Sequence, residues 1–243
     1  MQNHRAHDEA CAAVAARFSP RWLPAYAASK LRSDPIFAAA YDLLGTSTEP
    51  LLDIGCGIGL LPLYLRERGL RNPITGIDID DRKVQRAPKV AGIEFLALDA
   101  SSHLPEVFGD VALIDVLHYL EPEAQSQLLR EAAARLSANG ILLLRDGIAD
   151  RTIRFRLTLL AERFAQALSW NIGKPLHFPT RESITAAFPR DEFMLDERPM
   201  YGRTPFNNWL FIIRRRGVAP DAEQRSDSRA RPGAAALTRD NAG

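Results

Sequence analysis

Asp53-Ile54-Gly55-Cys56-Gly57-Ile58-Gly59 sets three glycines at alternate positions behind an acidic residue. Such a turn lets the backbone bend sharply and approach a ligand with no side chain in between. The apolar stretch that begins at Leu60 reads as a helix. Its first N–H groups and partial positive charge suit a carboxylate or a phosphate. Asp78 and Asp99 stand at the ends of two further apolar runs, and an ionised carboxylate accepts two hydrogen bonds without a proton of its own. His118 follows a fourth run, and histidine is the side chain best suited to moving protons near neutral pH. Taken alone, the glycine turn fits several ligands, because nucleotide and dinucleotide sites use similar loops. Plainer roles also exist: Gly55 or Gly57 could serve only the turn, and Asp80 could cap the next helix.

These residues depend on five short apolar runs, at 51–54, 74–77, 93–98, 111–116 and 141–144. Helical segments at 60–69, 80–87 and 121–136 lie between them. Continuous apolar runs joined by helices predict a parallel sheet covered on both faces, in an open, doubly wound α/β architecture. Residues 8–44 read as helical, punctuated by Pro20, Pro24 and Pro35. Trp22, Tyr26, Phe37 and Tyr41 on this region either pack or form a lid over a pocket. A helix at 150–170 carries Arg151, Arg154, Arg156 and Arg163, as a solvated face or as a dock for an anionic partner. A short helix at 180–188 precedes two strands, 193–198 and 208–214, able to pair across 202–207. The organisation expected is an N-terminal helical lid (1–45), one ligand-binding domain (46–216) and a disordered tail (217–243) poor in large apolar residues.

The glycine spacing narrows the ligand. A dinucleotide fingerprint would put its third glycine at position 60, where Leu60 stands. The pattern Asp-x-Gly-x-Gly-x-Gly instead resembles the first motif of class I S-adenosylmethionine-dependent methyltransferases. Thr75-Gly76-Ile77-Asp78-Ile79-Asp80, Leu98-Asp99-Ala100 and Asp110 through Leu120 resemble that family's next three motifs, in order. The resemblance spans about Pro50 to Asp146. It implies a Rossmann-like methyltransferase fold with a seven-stranded, mostly parallel sheet whose last strand is antiparallel. It also implies S-adenosyl-L-methionine as cofactor: Asp53, Gly55, Gly57 and Gly59 at the methionine end, Asp78 at the ribose and Asp99 at the adenine, with Cys56, Ile79, Ala100 and Asp115 completing the cofactor contacts. The rival readings are a nicotinamide-dependent oxidoreductase using the same turn, and a protein that binds S-adenosylmethionine without catalysis.

A sulfonium already activates the methyl group, so transfer depends mainly on holding an acceptor in line with it. An alcohol or phenol also needs a base, for which His118 is the candidate, ahead of His103 and His177. No Asn-Pro-Pro-Tyr or Asp-Pro-Pro-Tyr follows the fourth run, which favours a small molecule over nucleic acid or a protein amide. Ser29 to Pro35, Leu144 to Gly147 and Tyr201 to Asn208 are similar to segments of the methyltransferases of bacterial aryl-polyene pathways. That resemblance implies an aromatic or phenolic acceptor, free or attached to a carrier protein. With 31 basic and 30 acidic residues the net charge is +1, so no bulk field draws the chain to nucleic acid. The 46% hydrophobic content supplies a core, and no uncharged stretch has the length of a membrane span. Two cysteines, one inside the glycine turn, suggest free thiols and a cytoplasmic setting. No metal site is expected.

Overall fold

The computed structural model describes residues 2–20, 22–150, 152–158, 160, 176–202 and 206–217. Helices α1 (Gln2–Ala15), α2 (Trp22–Ser33) and α3 (Ile36–Leu44) precede β1 (Leu51–Ile54) and α4 (Leu60–Glu67). There follow β2 (Ile74–Asp78), α5 (Asp81–Val84), β3 (Ile93–Ala97) and β4 (Asp110–Ile114). A 3₁₀ turn (Leu117–Tyr119) leads to α6 (Pro122–Arg135) and β5 (Ile141–Gly147), and α7 (Arg181–Thr185) precedes β6 (Phe193–Pro199) and β7 (Asn208–Arg215).

The seven strands lie in the order β3-β2-β1-β4-β5-β7-β6. The first five are parallel, and β7 runs antiparallel to both β5 and β6. Successive side chains of a strand point to opposite faces, and the two cores follow that alternation. Leu51, Ala112, Leu143, Leu210 and Ile212 face α1–α4. Leu52, Val111, Leu113, Leu142, Leu144, Phe211 and Ile213 face α6 and α7. Burial on both faces is why these strands read as unbroken apolar runs. The strand order reverses between β1 and β4, and ligands of open α/β sheets bind outside the carboxyl ends at such a point.

Several boundaries differ from those read in the sequence. The fourth run, read to Val116, ends as a strand at Ile114. Asp115 takes φ 57, a left-handed conformation that breaks the pleat and starts the 3₁₀ turn. The helix read at 80–87 is a single turn, capped by Asp80, whose carboxylate accepts from the Arg82 N–H at 3.0 Å. Strand β5 continues past Leu144 through Arg145 and Asp146, held in place by pairing with β7. Of the helix expected over 150–170, residues 153–158 are helical; most of the rest, with Arg151 and Arg163, lies outside the described residues, as does the tail from Val218. Cys11 and Cys56 are both free and buried. Among the described residues no helix is long and apolar enough to cross a membrane.

Candidate active site

The loop after β1 is tied to its neighbour strand: the N–H groups of Gly55 and Cys56 donate to the Ile77 carbonyl at 2.8 and 2.9 Å. Its three glycines all have positive φ but serve different ends. A Cβ on Gly55 would lie 2.2 Å from the Val116 side chain, and one on Gly59 would lie 2.5 Å from the Phe95 ring. These two allow close packing. A Cβ on Gly57 would meet nothing within 4 Å, and Gly57 lines a cleft of about 690 Å³. There the missing side chain leaves room for a ligand.

Asp78 ends β2 beside this loop. One of its oxygens accepts from the Gly57 N–H at 2.8 Å and the other from the Asp80 N–H at 2.9 Å. Each oxygen keeps a lone pair for a further donor. Asp53 is 3% exposed, and its Oδ2 has no hydrogen-bond partner. Burial, reinforced by the charge of Asp78, pushes its carboxyl up to about 7. Burial also pushes the Cys56 thiol up. Ile79 is half exposed and lines the cleft, as do Leu98, Asp99, Ala100 and Ser101. Asp99 accepts from the backbone N–H and the hydroxyl of Ser101.

The opposite wall comes from α2 and α3, through Trp22, Tyr26, Lys30 and Phe37. Here the chain gathers a cluster of four charges, of which Arg145 and Asp34 are buried while Lys30 and Asp115 are about one-third exposed. The Arg145 guanidinium, 2% exposed, donates to Asp115 Oδ2 at 2.5 Å and to Asp34 Oδ2 at 3.0 Å. Lys30 Nζ lies 2.9 Å from Asp34 and 3.8 Å from Asp115. Burial works to raise the Asp34 carboxyl, but Arg145 and Lys30 outweigh it and hold it at about 2. For Asp115 burial prevails over the same two cations, and its carboxyl is raised. Asp34 also accepts from the Ile36 N–H at the start of α3. Lys30, Asp34 and Arg145 were not among the site residues read from the sequence. The signal available was a charged residue continuing the apolar run Leu142–Leu144.

Close to this cluster, Gly202 packs on the chain before α3, where a Cβ would lie 2.8 Å from Pro35. The segments around Lys30, Arg145 and Gly202 therefore meet in space.

His118 is not brought to the cleft. It is 3% exposed, its Nδ1 lies 2.6 Å from Asp146 Oδ1, and its ring stacks on Phe178 with centroids 5.2 Å apart. Because the 3₁₀ turn begins one residue earlier, Tyr119 and Leu120 line the cleft instead. His177 Nε2 lies 3.1 Å from Glu121, and exposed His103 contacts Ser102; neither lines the cleft.

Residues 51–140 match the family model of a methyltransferase domain. These residues form a methyltransferase domain of the S-adenosylmethionine-dependent kind. S-adenosylmethionine is its cofactor, and the residues present fit it. A partnerless buried carboxylate at Asp53 suits an ammonium group, the open face of Gly57 admits a ligand against the backbone, and Asp78 has lone pairs to spare for hydroxyls. Among solved structures, the methyltransferase is similar to magnesium protoporphyrin IX methyltransferase from Synechocystis with S-adenosylhomocysteine (SAH) bound. The identity is 20% and the TM-score 0.57, over 76% of this chain and 83% of that one. It is also similar to the [4+2]-cyclase SpnF, at 16% identity and TM-score 0.58, over 74% and 80% of the two chains. A third likeness is to the mitomycin 7-O-methyltransferase MmcR, at 19% identity and TM-score 0.60; it covers 81% of this chain but 57% of that one. At these identities the likenesses speak for the fold alone. No curated protein sequence matches the chain.

Proposed function

We propose that this methyltransferase acts on a small, hydrophobic, aromatic acceptor. The observation that carries this reading is the make-up of the cleft: carboxylates and an open glycine face on the sheet side, and Trp22, Tyr26 and Phe37 on the helical side. On this reading Asp53 and the loop 55–59 hold the methionine end of the cofactor, Asp78 its ribose hydroxyls, and Ile79, Asp99 and Ala100 its adenine. When bound, the cofactor supplies an activated methyl group. The chain's own residues orient the acceptor and exclude water around it. Helices α2 and α3 act as the wall that closes the cleft. Asp146 and His118 fix the turn 117–119 that presents Tyr119, and His118 is a positioning residue away from the acceptor. The test is incubation with isotopically labelled S-adenosylmethionine and a panel of aromatic, aliphatic and peptide acceptors, read by mass spectrometry. Label appearing only in aliphatic or peptide products would overturn the aromatic assignment.

A further inference from the structure

The cluster Lys30–Asp34–Arg145–Asp115 is left over from the cofactor contacts assigned above. Burying the Arg145–Asp34 pair is weak support for stability, because apolar side chains of similar size commonly do as well. Asp115 adds a second anomaly: a non-glycine residue at φ 57, a strain of the kind that gathers at functional sites. Three of the four residues, Lys30, Asp115 and Arg145, line the cleft.

We propose that Asp115, anchored by Arg145 and Lys30, is a specificity-determining subsite for a hydroxyl group on the acceptor, which is therefore a phenol or another hydroxylated aromatic. This rests on the aromatic-acceptor reading above and assigns Asp115 to the acceptor in place of the cofactor contact expected from the sequence.

Three observations select a hydroxyl. First, Asp115 Oδ2 is held by Arg145 at 2.5 Å with Lys30 at 3.8 Å, whereas Oδ1 has no donor among the described residues. One oxygen is fixed and the other is offered as an acceptor on a side chain one-third exposed. Secondly, Lys30 is similarly exposed and keeps an N–H beyond those directed at Asp34 and Asp115. Thirdly, the cluster holds two cations and two anions, so its own charges balance, and the neighbouring Asp146 is engaged by His118 and by the Leu117 and Gly147 N–H groups. A hydroxyl both donates and accepts without adding charge. A carboxylate has no proton for Asp115, and an ammonium has no lone pair for Lys30. Either would enter a charge-balanced, partly buried site without a counter-charge. The ring that carries the hydroxyl has Tyr26 and Phe37 beside it.

The experiment titrates phenol, benzoate and benzylamine into the full-length protein saturated with SAH, by calorimetry. The unaltered protein is expected to favour phenol by about tenfold or more. Asp115→Ala leaves two cations against one anion and should make benzoate the tightest probe. Lys30→Met leaves the opposite imbalance and should move the preference toward benzylamine. A titration with SAH alone shows that each protein is folded and loaded, and either variant suffices if the other does not fold. An order of probes that is the same in the unaltered and altered proteins, or phenol failing to lead in the unaltered protein, overturns the hydroxyl subsite and leaves methyl transfer standing. Failure of the unaltered protein to bind SAH would instead overturn the reading of the site as a whole.

Discussion

At the scale of single residues, Asp53 makes the most direct prediction about pH. Its carboxyl is pushed up to about 7 by burial and by Asp78, so the unliganded protein carries a proton there that the unfolded chain, with an ordinary carboxyl, releases from about pH 4. The unliganded fold should therefore lose stability as pH rises from about 4 to 7. An ammonium placed against Asp53 favours the ionised form and expels that proton. SAH affinity should then rise by up to about tenfold per pH unit below pH 7 and level off above it. Calorimetry at pH 6 in buffers of different ionisation enthalpy should show proton release, absent at pH 8. The glycines separate site from fold. Gly57→Ala adds a Cβ in open space at positive φ, which costs about 1–2 kcal/mol of stability but should reduce SAH binding at least tenfold. Gly55→Ala drives the same atom into Val116, so its melting temperature should fall further. Equal loss of stability in both variants would show that the two glycines do the same work.

At the scale of elements, the turn after β4 shows what local sequence leaves unsaid. His118 follows an apolar run at the sheet edge where ligands bind, and from spacing alone it belongs at the rim. The left-handed Asp115 re-aims the chain, and the 3₁₀ turn carries the imidazole inward to Asp146 while Tyr119 faces the cleft. A residue that braces this turn tolerates replacement by another hydrogen-bonding side chain. His118→Asn should keep most of the turnover, with a pH–rate profile that does not change shape, whereas His118→Ala should lower the melting temperature. A large fall in turnover for His118→Asn with SAH binding intact would restore the histidine as a base. By contrast, β1, the glycine turn, β2 and Asp78 were legible from the outset. Parallel strands buried on both faces announce themselves as apolar runs, and the turn's chemistry is local. The four-charge cluster was not legible. Lys30 reads like any lysine on a helix, and Arg145, which shares Asp34 and Asp115 with it, is remote in the chain; only the folded sheet brings the four together.

At the scale of the molecule, the cofactor's proposed contacts are gathered from β1, β2 and the segment after β3, so binding should stabilise the whole domain at once. SAH at about a hundred times its dissociation constant should add about 2.7 kcal/mol, raising the melting temperature by roughly 5–10 °C for a chain of this size. The same concentration of NAD should leave it unchanged. A thermal shift with NAD and none with SAH would reverse the assignment of the glycine turn.

The distance in sequence between Asp34 and Arg145, 111 positions, also sets an order of events during synthesis. Helices α1–α3 leave the ribosome before the sheet does, yet Asp34 has no buried arginine to meet until β5 has emerged. Their apolar faces wait longer still, because Leu210 and Ile212 of β7 belong to the same core. The amino-terminal third therefore cannot finish folding as a unit while translation continues; its completion is postponed to the last strand. Nascent chains stalled before β5 should be cut readily by protease within residues 22–44, and protection there should appear only once β7 has cleared the exit tunnel.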